Sequence, residues 1–434
     1  MSDTDETNCA DNIVSGKPSF LEALRFWLKL GLISFGGPAG QIAIMHTELV
    51  ERRRWIPEGR FLHALNYCML LPGPEAQQLA TYCGWLLHGV RGGIVAGVLF
   101  VLPSAILLWF LSYIYMAYGD VKWVAAIFAG LKPAVLAIVV AAVLRIGTKA
   151  LKNSVMWGIA ALAFGLIYFV KVPFPLIVFG AALLGLIGGM IRPETFGVSN
   201  LDSATDESSA QNPSLLRGLI IVVVGALLWF LPLVGVLMWL GEDSTQFRQG
   251  IFFSKAAMVT FGGAYAVLPY VGQQAVEHYG WLQAGQMMDG LGLAETTPGP
   301  LVMVLQFVGF VGGWQNPGTL SPIVSGTLGA MITTWVTFVP CFIWILLGAP
   351  YIDRLQGNRR LGSALSAVTA AVVGVILNLA VWFGLHTLMP EAGRVDWLSV
   401  LVSVTAFLGM VKWKWEIVPV VLGAAVFGVL RLAF

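Results

Sequence analysis

"LISFGGPAGQ" at 32–41 and "MVTFGGAYAV" at 258–267 each place Phe-Gly-Gly inside an apolar stretch. Two adjacent glycines within a helix cost about 1 kcal/mol each relative to alanine. A chain that writes them twice in such surroundings is breaking a helix at a chosen point. What that break is for decides how the rest of the sequence is read.

Gly36 and Gly262 are 226 positions apart, and the same shift, with no gap, brings other residues into register. Phe26 meets Phe252, Lys29 meets Lys255, Trp55 meets Trp281, and Pro72-Gly73-Pro74 meets Pro298-Gly299-Pro300. Apolar composition can align leucines by chance, but not two rare triplets, a lysine and a tryptophan at one offset. The chain is an internal duplication. With a modest insertion the match continues, "VLPSAILLWF" (101–110) resembling "FVPCFIWILL" (338–347).

Of the 434 residues 57% are hydrophobic and 11% charged, against about 25% charged in a soluble domain. Apolar runs such as 92–118, 121–145, 215–239 and 361–389 approach the roughly 20 residues that cross a bilayer. They are continuously apolar rather than alternating, which excludes a transmembrane barrel and leaves an all-α polytopic membrane protein. Residues 1–18 are polar, lack the basic start and apolar core of a cleaved signal, and are expected to form a disordered cytoplasmic tail. A first repeat over 19–191, a polar linker with one extra helix over 192–246, and a second repeat over 247–434 complete the division. Net charge is only +2, which offers no nucleic-acid footprint. The four cysteines and five histidines show no metal-ligand spacing, so no metal and no cofactor is expected.

Charge suggests how the copies are oriented. "ERRRW" (51–55) follows the first Phe-Gly-Gly unit where "EHYGW" (277–281) follows the second, and neutral "YGDVK" (118–122) corresponds to basic "DRLQGNRR" (353–360). Basic loops prefer the cytoplasm, so equivalent loops fall on opposite faces. Five spanning candidates between the first Pro-Gly-Pro and the second Phe-Gly-Gly, an odd number, also turn the second copy upside down. Inverted repeats with interrupted helices are the arrangement of many secondary transporters. Nine full spans and four re-entrant hairpins are expected.

The hairpin arms are 14 to 17 residues long and reach only about 21–25 Å at 1.5 Å per residue, short of a hydrocarbon layer about 30 Å thick. A helix that begins after Gly36-Gly37, Gly262-Gly263, Pro72-Gly73-Pro74 or Pro298-Gly299-Pro300 aims unpaired N–H groups and its positive dipole end at the turn. Such a turn is an anion cradle. Lys29 and Lys255 each precede their first glycine by seven residues, close to two helical turns, and Arg25 lies one turn below Lys29 with Glu22 in range to pair with it. Glu75 and Glu295 beside the Pro-Gly-Pro turns are candidates for proton coupling, and Asn66, Gln77, Gln78, Thr296 and Thr297 for hydrogen bonds to a ligand.

These motifs resemble the chromate ion transporter family in its long form, which fuses two homologous halves. The residues that carry the likeness are Phe35-Gly36-Gly37-Pro38, Pro72-Gly73-Pro74-Glu75 with Gln77-Gln78, Phe261-Gly262-Gly263-Ala264 and Thr297-Pro298-Gly299-Pro300. The resemblance implies a multi-pass inner-membrane carrier that exports chromate on the membrane potential or proton gradient and confers chromate resistance. Ala264 stands where the first copy has Pro38, and Leu301 where it has Glu75, so the halves are not equivalent. Chromate and sulfate are both tetrahedral dianions, which leaves sulfate as a competitor and an oxyanion permease or passive channel as alternatives. No Walker A loop, HExxH or GxSxG motif supports an enzyme. The partners expected are the anion and the bilayer, with a homodimer as an admissible assembly.

Overall fold

The computed structural model describes residues 17–35, 37–196, 215–351, 359–389 and 394–433. Gly36, nearly all of the amino-terminal tail and most of the linker therefore lie outside the described residues. Sixteen α-helices and no strands occupy the described residues. The first half contains α1 (Phe20–Ile33), α2 (Gly37–His46), α3 (Glu58–Leu70), α4 (Glu75–Tyr118), α5 (Lys122–Ala150), α6 (Ser154–Tyr168) and α7 (Phe174–Ile191). After α8 (Leu215–Leu240) the second contains α9 (Thr245–Met258), α10 (Ala264–Gln273), α11 (Ala284–Thr296), α12 (Val304–Gln315), α13 (Pro322–Gly348), α14 (Arg359–Leu388), α15 (Trp397–Lys412) and α16 (Ile417–Leu430).

The duplication extends to single hydrogen bonds. α2 and α10 each run into a short π-helical turn, Thr47–Arg52 and Gln274–His278. Each turn closes by a bond from a tryptophan N–H, Trp55 to the Leu49 carbonyl and Trp281 to that of Ala275, both at 2.8 Å. Those buried tryptophans meet Phe26 and Phe252 edge to face at 5.4 and 5.6 Å. The conserved offset in the sequence thus records one aromatic lock used twice, which holds each opening helix against the end of its hairpin.

α4 is not one rod. His88 and Gly89 leave helical geometry, Gly89 at φ +62°, and the chain doubles back so that Gly84 touches Gly92. The resulting arms, 75–87 and 90–118, match α12 and α13, whose Gly309 and Gly329 meet in the same way. Glycine at these contacts lets two helix backbones approach without side chains between them.

Corresponding helices of the two halves pack against each other in opposite directions. Along α4 and α13, Gly97 lies against Phe342 while the Trp109 indole N–H donates to Thr327 Oγ1 at 3.0 Å. Along α5 and α14, Leu136 lies against Gly384 and Gly147 against Val373. In both pairs the numbering climbs in one helix as it falls in its partner. The terminal hairpins are exchanged, α6 and α7 packing on α14 of the other half, and α15 and α16 on α5.

Among the described residues, six helices are long and apolar enough to cross a membrane: α4 through its second arm, α5, α7, α8, α13 and α14. The other three of the nine expected spans, α6, α15 and α16, are shorter apolar helices. α6, α15 and α16 have 15, 16 and 14 residues, or about 21–24 Å at 1.5 Å per residue. α6 is followed by a tight loop that holds Lys171 and α15 by one that holds Lys414, both residues at positive φ.

α5 and α16 approach closely at Gly130, where an added Cβ would lie 2.3 Å from the Ala424 carbonyl oxygen and 2.7 Å from the Gly428 Cα. Gly130→Leu is therefore expected to destabilise the purified protein by about 1–3 kcal/mol through overpacking. A thermal melt in detergent reads this, with Gly158→Ala, which meets nothing within 4 Å, as the neutral control.

Candidate functional site

Each Pro-Gly-Pro turn is tied to the Phe-Gly-Gly turn of the opposite half. The Gly73 N–H donates to the Thr260 carbonyl at 2.7 Å, and the Gly299 N–H donates to the Ser34 carbonyl at 2.8 Å. Ser34 and Thr260 are one offset apart, as are Gly73 and Gly299, so the two bonds are one bond made twice. Each acceptor residue is itself pinned, the Ser34 hydroxyl to the Leu30 carbonyl and the Thr260 hydroxyl to that of Ala256, both at 2.6 Å.

The crossing demands glycine. Gly73 and Gly299 sit at φ +124° and +109°, a region closed to residues with a Cβ. Space is closed as well, since a Cβ on Gly73 would lie 2.6 Å from Cys341 Sγ and one on Gly299 2.5 Å from Ser104 Cβ. Ser104 and Cys341 follow the matched Pro103 and Pro340, so these contacts are exchanged between halves too. Ser104 is the central residue of the 90–118 arm, which sets the second crossing at mid-helix depth. Cys68, Cys83 and Cys341 are buried free thiols.

Four helices start at these turns without a side-chain cap where the cap is described. α4 follows Pro74, the short 3₁₀ turn leading into α12 follows Pro300, and α10 follows Gly263, none with a side-chain bond to its first N–H groups; α2 begins at Gly37, with Gly36 outside the described residues. Elsewhere α1, α6, α9 and α15 are capped by Ser19, Asn153, Ser244 and Asp396, while α3, α5, α7, α13 and α16 also start without a side-chain cap. A Cβ on Gly37, Gly262 or Gly263 would meet nothing within 4 Å. Open space thus lies directly beside uncapped helix starts.

Buried glutamines from the first half bridge these turns. Gln78 Nε2 donates to the Pro72 carbonyl at 2.8 Å, and Gln41 Nε2 to the Gly299 carbonyl at 2.5 Å and the Ser34 carbonyl at 3.2 Å. Gln77 Nε2 reaches Thr81 at 3.1 Å. The three amide oxygens and Ser104 Oγ remain buried without a partner, an unusual concentration of unmet polar atoms. At the offset of 226 stand Val267, Met303 and Val304, so only the backbone part of the arrangement is symmetric.

The carboxylates are divided between the halves. Glu75, half-buried, opens α4 and makes no hydrogen bond or ion pair among the described residues. Glu295 is 5% exposed and accepts a hydrogen bond from Tyr265, the second residue of α10. The Thr296 and Thr297 hydroxyls donate to carbonyls of their own helix, which leaves them no proton for an anion. Asn66 is exposed.

Arg25 and Lys29 lie on the exposed face of α1 beside Leu21, Leu28 and Leu32, and Lys255 is exposed on α9. None has an ion-pair partner among the described residues. Glu22 faces Arg53 Nη1 at 3.8 Å rather than Arg25, because the π-turn after α2 brings Arg53 over Phe26 and Trp55. Sequence reasoning missed Gln41, Ser104, Tyr265 and a buried Lys132–Asp289 pair. Only the last carried a signal, two charges inside apolar helices.

A cavity of about 450 Å³, lined by Thr245, Arg248, His278, Tyr279, Trp281 and Asn316, opens at the start of α9. It lies at the other end of that helix from the second Phe-Gly-Gly turn and takes no part in the crossing.

Comparison with known proteins adds an independent line. The sequence model of the family described as Chromate transporter matches residues 21–186 and 247–429, one segment in each half, with α8 in neither. A chromate transport protein of Pseudomonas aeruginosa is 31% identical over 429 residues, covering 97% of this chain and 95% of that protein. One of Cupriavidus metallidurans is 28% identical over 418 residues, covering 94% and 92%. No solved structure matches the chain.

Gly73→Ala removes the geometry the crossing needs and drives a methyl group into Cys341. It is expected to destabilise the protein by about 1–3 kcal/mol, read as a lower melting temperature, whereas Gly263→Ala, with open space beside it, is expected to cost about 1 kcal/mol.

Proposed function

The chain belongs to the chromate transporter family, and we propose that it exports chromate from the cytoplasm by alternating access between two inverted halves, 19–191 and 247–434. It is a multi-pass membrane protein; the inner membrane is the membrane we assign. The observation that carries the proposal is the meeting of uncapped helix starts at the crossed turns. Main-chain N–H groups and positive dipole ends bind a tetrahedral oxyanion without a dedicated cation. The antiparallel packing of α4 on α13 and of α5 on α14 supports inversion, because mates related by a two-fold axis across the helices run in opposite directions.

In this reading Gly36, Gly37, Gly262 and Gly263 let the anion approach the backbone, while the two Pro-Gly-Pro turns and Gln77 and Gln78 shape the pocket. Lys29, Lys255 and Arg25 supply positive charge along the approach. Glu75 and Glu295 are the proton-coupling groups. Export follows from charge: a dianion leaving a compartment at negative potential gains about 4.6 kcal/mol per 100 mV. Chromate resistance of the host cell is the consequence.

The deciding measurement is chromate flux by purified protein in liposomes under set potential and pH gradients. Flux that follows the gradient supports the carrier, and flux indifferent to it with no counter-transport identifies a channel. Excess sulfate tests selectivity, since backbone amides read charge and shape before chemistry; complete competition marks a general oxyanion permease.

Gly263→Val places a β-branched residue at φ +93° without a clash, so protein is expected in the membrane at near-normal amount with flux reduced at least about tenfold. Glu75→Gln is expected to flatten the pH dependence of flux; an unchanged profile assigns Glu75 to capping α4.

A further inference from the structure

Away from the crossed turns, a second charged group is buried between the halves. Asp289, on α11 and 4% exposed, accepts a hydrogen bond through Oδ2 from the Tyr115 hydroxyl at 2.9 Å. The same oxygen lies 3.9 Å from Lys132 Nζ, which comes from α5. Its other oxygen, Oδ1, is buried with no partner. The lysine is different, with about a third of its side chain accessible. Tyr115 and Lys132 belong to the first half and Asp289 to the second.

Tyr115 from α4 and Lys132 from α5 are the titratable groups that face Asp289. α12, α14 and α16 also pack on α11 and present none to it among the described residues. Asp289 does not belong to the duplicated pattern, since at the offset of 226 it corresponds to His63. A buried ion pair contributes little net stability over an apolar replacement, so stability alone does not account for a charge kept in this position. One carboxylate oxygen is satisfied, the other has no partner, and about a third of the partner lysine's side chain is accessible.

We propose that Lys132 and Asp289 form a proton-operated charge switch that sets when the Lys132 ammonium is available to the transported anion; this rests on the anion-carrier reading above. A proton from solution binds Asp289 at Oδ1 and cancels its charge while Oδ2 keeps the Tyr115 bond. Lys132 stays protonated and loses its counter-ion, so the pair passes from neutral to a single positive charge. The anion then supplies the missing negative charge. When the proton leaves Asp289, the ion pair re-forms and the anion loses that attraction. Because the pair spans the two halves, its making and breaking is coupled to their relative motion.

Two measurements on the full-length protein test the switch. Dicyclohexylcarbodiimide reacts with protonated carboxyls in apolar surroundings, and mass spectrometry of the peptides locates the adduct. Adducts on Asp289 are expected to increase at least about fivefold between pH 9 and pH 6, and in Lys132→Gln to appear at higher pH, since loss of the cation favours the protonated acid. Labelling of Glu295 without any of Asp289, or Asp289 labelling that ignores pH, overturns the proposal whether or not the protein carries chromate. In liposomes, the paired variant Lys132→Gln/Asp289→Asn removes both charges without leaving either buried alone, and is expected to weaken the pH dependence of flux to the part carried by Glu75 and Glu295, while Asp289→Glu retains it in full. Wild-type flux with an unaltered pH profile in the paired variant overturns the switch and leaves the carrier standing; absence of flux in the wild type overturns the carrier, and the labelling alone then decides the switch.

Discussion

A helix interrupted inside a membrane leaves N–H and C=O groups that lipid cannot solvate, each costing several kcal/mol if left unmet. This protein meets that constraint by exchange. The Gly73 N–H is satisfied by the carbonyl before the second Phe-Gly-Gly, and the Gly299 N–H by the carbonyl before the first. Each half closes its Pro-Gly-Pro turn on the other half, so the broken helices and the duplication are one design. The antiparallel mates, the exchanged terminal hairpins and the packing of Ser104 and Cys341 on the opposing turns follow from that mutual dependence.

Symmetry ends at the backbone. The first half brings Gln41, Gln77, Gln78 and Glu75 to the crossing, while the second has Val267, Met303, Val304 and Leu301 at those positions. The second half instead carries Asp289 and Glu295 on α11, each met by a tyrosine hydroxyl. One half therefore lays polar amides over the turns and the other holds buried carboxylates. A duplicated scaffold can afford this divergence because main-chain bonds, not side chains, hold the crossing.

Close packing elsewhere is carried by small residues. Gly130 on Gly428, Gly374 on Ala160 and Gly84 on Gly92 let backbones touch, as expected where lipid removes the hydrophobic incentive for helices to associate. α8 stands apart, most of its apolar side chains exposed, in keeping with a helix that belongs to neither copy.

The sequence alone determined the helical membrane class, the duplication, and the places where helices break, because glycine pairs and Pro-Gly-Pro within apolar runs admit few other conformations. It also marked the residues of the aromatic lock, since Phe26, Trp55 and their mates repeat at one offset, but not their contact. Lengths were less legible: α6, α15 and α16 are apolar helices of only 14 to 16 residues. What meets what was decided only by the tertiary structure. No local pattern says that Gly73 bonds across 187 residues to Thr260, that Glu22 turns to Arg53, or that Lys132 lies beside Asp289. Repetition marks residues that both halves share, whereas these pairings depend on how the halves cross, and that is set by backbone groups every residue carries alike.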